Sequence, residues 1–163
     1  MPMKPVVKIA TKSSTLSPAV LLNNSSCLEV PAIEEFNKWV ETVIDYSGSF
    51  LQVSIEIVDK KTSQNLNKTY RGINKATNVL SFPLDLPEFV EEDLIGDLAI
   101  CAEVVNTEAQ AQNKAINHHW AHLTIHGVLH LLGYDHIEDE EAEIMESLEI
   151  ELLAGLNIAN PYD

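Results

Sequence analysis

Positive charge is scarce in this sequence. Ten Lys and Arg residues, among them the single arginine Arg71, stand against 25 Asp and Glu, a formal net charge of −15. A surface that negative repels phosphate backbones on average, which argues against a non-specific nucleic-acid coat protein or a binder of anionic membranes. Composition alone favours an acidic enzyme of small substrates. Cysteine is nearly absent too. Cys27 and Cys101 cannot make a disulfide framework for 163 residues, which points to a reducing, cytoplasmic setting. No run approaches the ~20 consecutive apolar residues that a membrane helix needs. The opening residues 1–17 lack the apolar segment of a signal peptide and are expected to form a loose arm. With no repeat, low-complexity block or linker in view, residues 18–163 are expected to form one domain.

Apolar spacing supplies the organisation. Ala19 to Leu22 suits a short strand ended by the turn residues Asn23 to Ser26. After Pro31, residues Ile33, Phe36, Val40, Val43 and Ile44 recur at helical spacing, with Glu34 and Glu35 where the helix dipole favours acids. Leu51, Val53, Ile55 and Ile57 alternate with Gln52, Ser54 and Glu56, the period of a strand. Residues 60–70 are expected to form a short helix that turns Leu66 and Tyr70 inward. Strands are expected at 78–82 and 95–101, around an acidic loop at 85–93. Helices are expected at 102–113, 117–132 and 138–156. The predicted class is α+β, a small mixed sheet packed with helices, and the helix after residue 117 is apolar on most sides and so central.

All six histidines lie between His118 and His136. His126 and His130 are four apart, so on a helix they sit about 40° apart in azimuth and roughly 6 Å apart along the axis. Both can reach one ion. His136 can join them only if the chain reverses, and Gly133 is the residue that accepts the left-handed conformation of such a reversal. Three neutral nitrogen donors on one side of an ion are the ligand set of a catalytic zinc with an open fourth position. One Zn2+ per chain is therefore expected on His126, His130 and His136. The spacing H-x-x-x-H-x-x-G-x-x-H also matches the long zinc-peptidase signature, except that Gly127 stands where those enzymes carry the general-base Glu. Asp135 is read either as a group orienting an imidazole or water, or as a cap for the segment after Ile137. His122 shares the ligand face and is read as a polar neighbour of substrate.

Residues 60–84 contain no acid but carry Lys60, Lys61, Lys68, Arg71 and Lys75, half of the basic residues in the chain. The planar guanidinium of Arg71 matches phosphate oxygens in pairs, so Arg71 is the candidate to hold a phosphodiester beside the metal. The opposite exception, Glu138 to Glu151, is read as the solvated face of a helix that packs through Ile144, Leu148 and Leu152.

The segment His126 to His136, with Tyr70-Arg71-Gly72, Thr77 to Pro83, Gly96-Asp97-Leu98 and His119-Trp120-Ala121-His122, resembles the YbeY family of endoribonucleases over about Ala19 to Leu156. The chain departs from many relatives in carrying Asn78 where they have Asp. The resemblance implies a metallopeptidase-like α+β fold and a zinc on His126, His130 and His136, with the family's functionally important arginine at Arg71. It further implies a single-strand-specific RNA endonuclease acting in 16S rRNA 3′-end maturation and ribosome quality control. Small-subunit components and an assembly GTPase are the partners it implies. Three competing readings stand beside it: a metallopeptidase-like hydrolase, a non-enzymatic ribosome-assembly factor with a structural zinc, and a hydrolase of small phosphoesters.

Overall fold

The computed structural model describes residues 18–87, 92–135 and 137–163. The predicted arm, residues 1–17, and His136 lie outside the described residues, as does part of the acidic loop. Along the chain run β1 (Val20–Asn24), α1 (Ile33–Ser47), β2 (Gln52–Val58), α2 (Lys60–Arg71), β3 (Val79–Pro83), β4 (Leu94–Cys101), α3 (Ala102–Ala111), α4 (Ile116–Leu131) and α5 (Asp139–Ala154). The four strands form one sheet in the order β1-β2-β4-β3. β1, β2 and β4 run parallel, and β3 adds antiparallel to β4 at the edge. The architecture is α+β with a small mixed sheet, as the apolar spacing predicts.

Alternation in β2 does the sorting. Val53, Ile55 and Ile57 are fully buried, while Gln52, Ser54 and Glu56 between them face the other way. Helix α1 lays Phe36, Trp39, Val40, Val43 and Ile44 into the core, a stripe at three- and four-residue spacing. Gly48 ends that helix in the left-handed conformation and donates to the Ile44 carbonyl. Helix α4 is the central helix. Its Trp120 meets Phe36 edge to face at 5.9 Å and donates from Nε1 to Asn106 Oδ1 of α3 at 3.0 Å.

Two glycines let the sheet and α4 come close. A Cβ on Gly96 of β4 would stand 2.5 Å from the Phe82 carbonyl oxygen and 2.7 Å from Leu131 Cδ2. A Cβ on Gly127 of α4 would stand 2.8 Å from Leu98 Cδ2 and 3.3 Å from Val79 Cγ2. β3 therefore lies directly along the helix that carries the histidines, and Ser81 Oγ donates to the Gly127 carbonyl at 3.2 Å.

Helix α2 corrects one expectation. Leu66 is only partly covered and Tyr70 is 65% exposed. The buried side chains are Ser63 and Asn67. Their partners are backbone groups of the following loop. Ser63 Oγ donates to Thr77 O at 3.0 Å and accepts from Thr77 N at 2.9 Å, and Asn67 Nδ2 donates to Lys75 O at 2.9 Å. A helix face that satisfies a loop's backbone must be polar, so the apolar residues turn outward instead. The stripe of α5 shifts in the same way. Ile144 is 60% exposed, and the buried set is Met145, Leu148, Glu149, Leu152 and Leu153.

Candidate metal centre

Helix α4 places His122, His126 and His130 at successive four-residue steps, so one helix face carries a column of imidazoles. His126 and His130 line a cleft of about 770 Å³, shared with Tyr70 and Arg71 from the end of α2, Asn78, Ser81 and Phe82 at the sheet edge, and Asp135 after the turn. Their rings meet edge to face at 4.6 Å, with the two Nε2 atoms 3.1 Å apart.

The partners of the opposite ring nitrogens fix the tautomers. His126 Nδ1 donates to Glu149 Oε2 at 2.6 Å, and His130 Nδ1 donates to the Tyr134 carbonyl at 3.0 Å. A carboxylate and a carbonyl are acceptors only, so each Nδ1 carries the proton and each Nε2 keeps its lone pair. Two lone pairs 3.1 Å apart make a place where a cation or another donor is favoured between them. Two nitrogens each ~2.1 Å from a zinc at a tetrahedral angle stand about 3.4 Å apart, so the pair is nearly at ligand spacing.

The turn that orients His130 depends on Gly133, whose φ is +102°. There Gly133 N donates to the His130 carbonyl, Tyr134 N donates to Leu129 O, and the chain doubles back to bring the Tyr134 carbonyl onto His130. The predicted reversal is thus followed as far as Asp135, which lines the cleft beside the two histidines.

Behind the cleft lies a buried carboxylate. Glu149 of α5 has no exposed side-chain surface. It accepts from His126 as above, from His122 Nε2 at 2.8 Å and from the Tyr162 hydroxyl at 2.5 Å. Burial pushes its pKa up, but hydrogen bonds from His122 and His126, the charge of His126 and the Tyr162 hydrogen bond together outweigh burial and hold it at about 2. Glu149 is ionised at neutral pH.

His122, Glu149 and His126 bring candidate ligand atoms within 4.8 Å of one another and so could also hold a metal ion. Their contacts of 2.6 and 2.8 Å are those of direct hydrogen bonds, however, and an ion there would have to break them. The carboxylate–histidine arrangement is instead the usual support of a metal-binding imidazole, with Glu149 fixing the ring whose far nitrogen faces the cleft. His122, expected beside substrate, sits buried against Glu149 and does not line the cleft.

Arg71, at the C-terminal end of α2, is exposed and makes no ion pair among the described residues. Asn78 lines the cleft, but its amide is engaged elsewhere. Its Nδ2 donates to Glu108 Oε1 at 3.1 Å, and Glu108 also takes His119 Nε2 at 2.9 Å. Gly127, where a peptidase would carry its base, is buried against Leu98 and Val79, so that position is occupied by helix–sheet packing.

Three supporting residues escape a sequence reading: Glu108, Glu149 and Tyr162. Only Glu149 left a signal. It stands four residues after Met145 and three before Leu152, inside the apolar stripe rather than on the acidic face.

Comparisons with known proteins identify the family. A family model described as Endoribonuclease YbeY matches residues 21–157. A relative from Alteromonas mediterranea (strain DSM 17117 / CIP 110805 / LMG 28347 / Deep ecotype), named Endoribonuclease YbeY, is 50% identical over 137 residues, covering 83% of this chain and 87% of the relative. The solution structure of a protein from Thermotoga maritima is similar with a TM-score of 0.55, covering 84% of this chain and 92% of that one; at 24% identity it speaks for the fold alone. The chain belongs to the YbeY endoribonuclease family.

Proposed function

We propose that this chain is a zinc-dependent endoribonuclease that cuts single-stranded RNA, with the 3′-end of precursor 16S rRNA as its substrate. The observation that carries the metal part is the His126–His130 pair, whose Nε2 lone pairs converge at 3.1 Å while both Nδ1 protons are engaged elsewhere. The donor set fits a borderline-soft cation: two neutral imidazoles in the cleft, each oriented from behind, with His136 assigned as the third ligand. When bound, zinc supplies Lewis acidity toward water and phosphoryl oxygen.

The chain's own residues supply the rest. Arg71 offers five donors in a planar fork, which bind the phosphodiester and stabilise charge as it grows on the phosphoryl oxygens. Tyr70, exposed beside it and packed edge to face on Phe82 at 5.1 Å, offers a ring face on which an unpaired base can stack. Bases in a duplex are already stacked on one another, so a platform of this kind favours single strands. Asp135 lines the same cleft and is assigned to orienting the attacking group or an imidazole. The family, the cleft and the RNA-matched chemistry of Arg71 and Tyr70 support the substrate class. Action on the small ribosomal subunit, together with an assembly GTPase in the cytoplasm, belongs to the same proposal.

The test is cleavage of precursor 16S rRNA by zinc-loaded and metal-stripped protein. Cleavage is expected only from the loaded form. Arg71→Ala should retain one zinc and lose on the order of 10²- to 10³-fold in rate, the scale of removing one transition-state donor. Undiminished cleavage by the metal-stripped protein would overturn the zinc dependence.

A further inference from the structure

Helix α5 ends at Ala154, and Asn157 then takes the left-handed conformation with φ +63°. Leu156 N and Ile158 N both donate back to the Leu153 carbonyl, closing the helix end. The tail therefore turns back along the helix it has just left. Had α5 continued, residue 162 would stand roughly 20 Å along the axis from Glu149. The Tyr162 hydroxyl instead meets Glu149 Oε1 at 2.5 Å, and its ring packs edge to face on His122 at 5.4 Å. Two further bonds hold it there: Lys114 Nζ donates to the Pro161 carbonyl at 2.6 Å, and Tyr162 N donates to Asn160 Oδ1 at 2.8 Å.

We propose that this C-terminal segment is a latch for the metal centre, with Tyr162 a positioning residue that acts through Glu149 on His126. The argument runs along the bonds. His126 can aim Nε2 into the cleft only while Nδ1 is held, and its holder is Glu149. Glu149 has two oxygens: Oε2 takes His126, and Oε1 takes His122 and Tyr162. The carboxylate is thereby fixed at both ends, so it cannot rotate away from the imidazole. Beside it lies a cavity of about 220 Å³ lined by His126, Met145, Glu146, Glu149 and Tyr162. Tyr162 forms one wall of that cavity, and without its hydroxyl water can take the Oε1 site and compete for the carboxylate. Tyr162 itself lies beyond residues 21–157, the part of the chain that the family model matches.

This inference rests on the metal reading of the His126–His130 pair, and the experiment separates the two. Metal-stripped full-length wild type, Tyr162→Phe and Tyr162→Ala are titrated with zinc against a chromogenic chelator, and the melting midpoint of each metal-free protein is recorded. Tyr162→Phe keeps the ring on His122 and removes only the hydroxyl. It should bind zinc several-fold more weakly, short of the about 10- to 100-fold range for losing the direct outer partner Glu149, while the metal-free protein still melts in one cooperative transition a few degrees below wild type. Wild-type zinc affinity in Tyr162→Phe would overturn the latch while leaving the metal reading standing. Weakening in Tyr162→Ala alone would assign the effect to ring packing and overturn the role of the hydroxyl. Wild type that takes up no zinc would remove the metal reading and the latch together.

Discussion

Glu149 is a buried anion kept charged by three donors, and its fate with pH follows from that. Its carboxyl is depressed from an ordinary 4.5 to about 2, because the bonds from His122, His126 and Tyr162 outweigh the opposing effect of burial. A depressed carboxyl contributes stability that is fully present above its unfolded pKa and is lost as pH falls through the folded one. The window is therefore pH 4.5 down to 2, and the contribution is roughly 3 kcal/mol. Glu149→Gln removes it. The amide also presents N–H to side chains that donate, so stability at pH 7 should fall by at least that contribution. Urea unfolding of metal-free protein at steps from pH 7 to pH 2 measures both effects. Wild type should lose stability more steeply than Glu149→Gln below pH 4.5, and parallel curves would mean that the carboxylate is not held as described. Glu108, held by His119 and Asn78 and likewise depressed against the effect of burial, leaves some acid sensitivity in the variant.

At the scale of elements, α2 and its following loop act as one part. Asp59 caps the helix by accepting from Thr62 N at 2.8 Å, Gly72 closes it with φ +72°, and Ser63 and Asn67 bind the loop backbone underneath. Arg71, Thr77 and Asn78, which line the cleft, are all carried by this unit. Asn67→Ala removes the donor to the Lys75 carbonyl and should lower stability by about 0.5–1.5 kcal/mol. More tellingly, it should raise KM for RNA while zinc affinity stays at the wild-type value, since no histidine is carried by α2. A zinc titration beside saturation kinetics checks the split, and an equal loss in both would mean general unfolding. The same unit marks where a sequence is readable. Apolar patterning locates β2 and α1 through one repeatedly buried face each, and α4 through burial on most sides. It misdirected Tyr70 and Leu66 because α2 packs through hydrogen bonds to backbone, which leave no apolar period. The ligand spacing of His126 and His130 was legible because four residues along a helix is a local distance. Tyr162 was not, because its partner lies thirteen residues back and is reached only through the turn at Asn157.

For the molecule as a whole, the net charge of −15 is an average over an uneven surface. The acids of α5 include Asp139, Glu140 and Glu141 in its first turn, whereas α2 and its loop carry Lys60, Lys61, Lys68, Arg71 and Lys75 with no acid among residues 60–84. One of these, Lys60, faces Glu103 at 3.8 Å, an exposed pair worth little in water. A polyanion approaching this protein meets repulsion from most directions and attraction along α2, beside the cleft that holds the histidine pair. Binding of single-stranded RNA should then depend on few phosphate contacts. Each contact to a single strand contributes about 0.7 to the slope of log affinity against log salt, so five cations allow a slope of at most about 3.5. Fluorescence anisotropy of a labelled single-stranded RNA across salt concentrations measures it. Arg71→Ala should lower the slope by about 0.7 and weaken binding to unrelated sequences equally, as a phosphate contact does. A slope well above 3.5 would show that cations outside residues 60–84 take part, and the RNA path would then have to extend beyond α2.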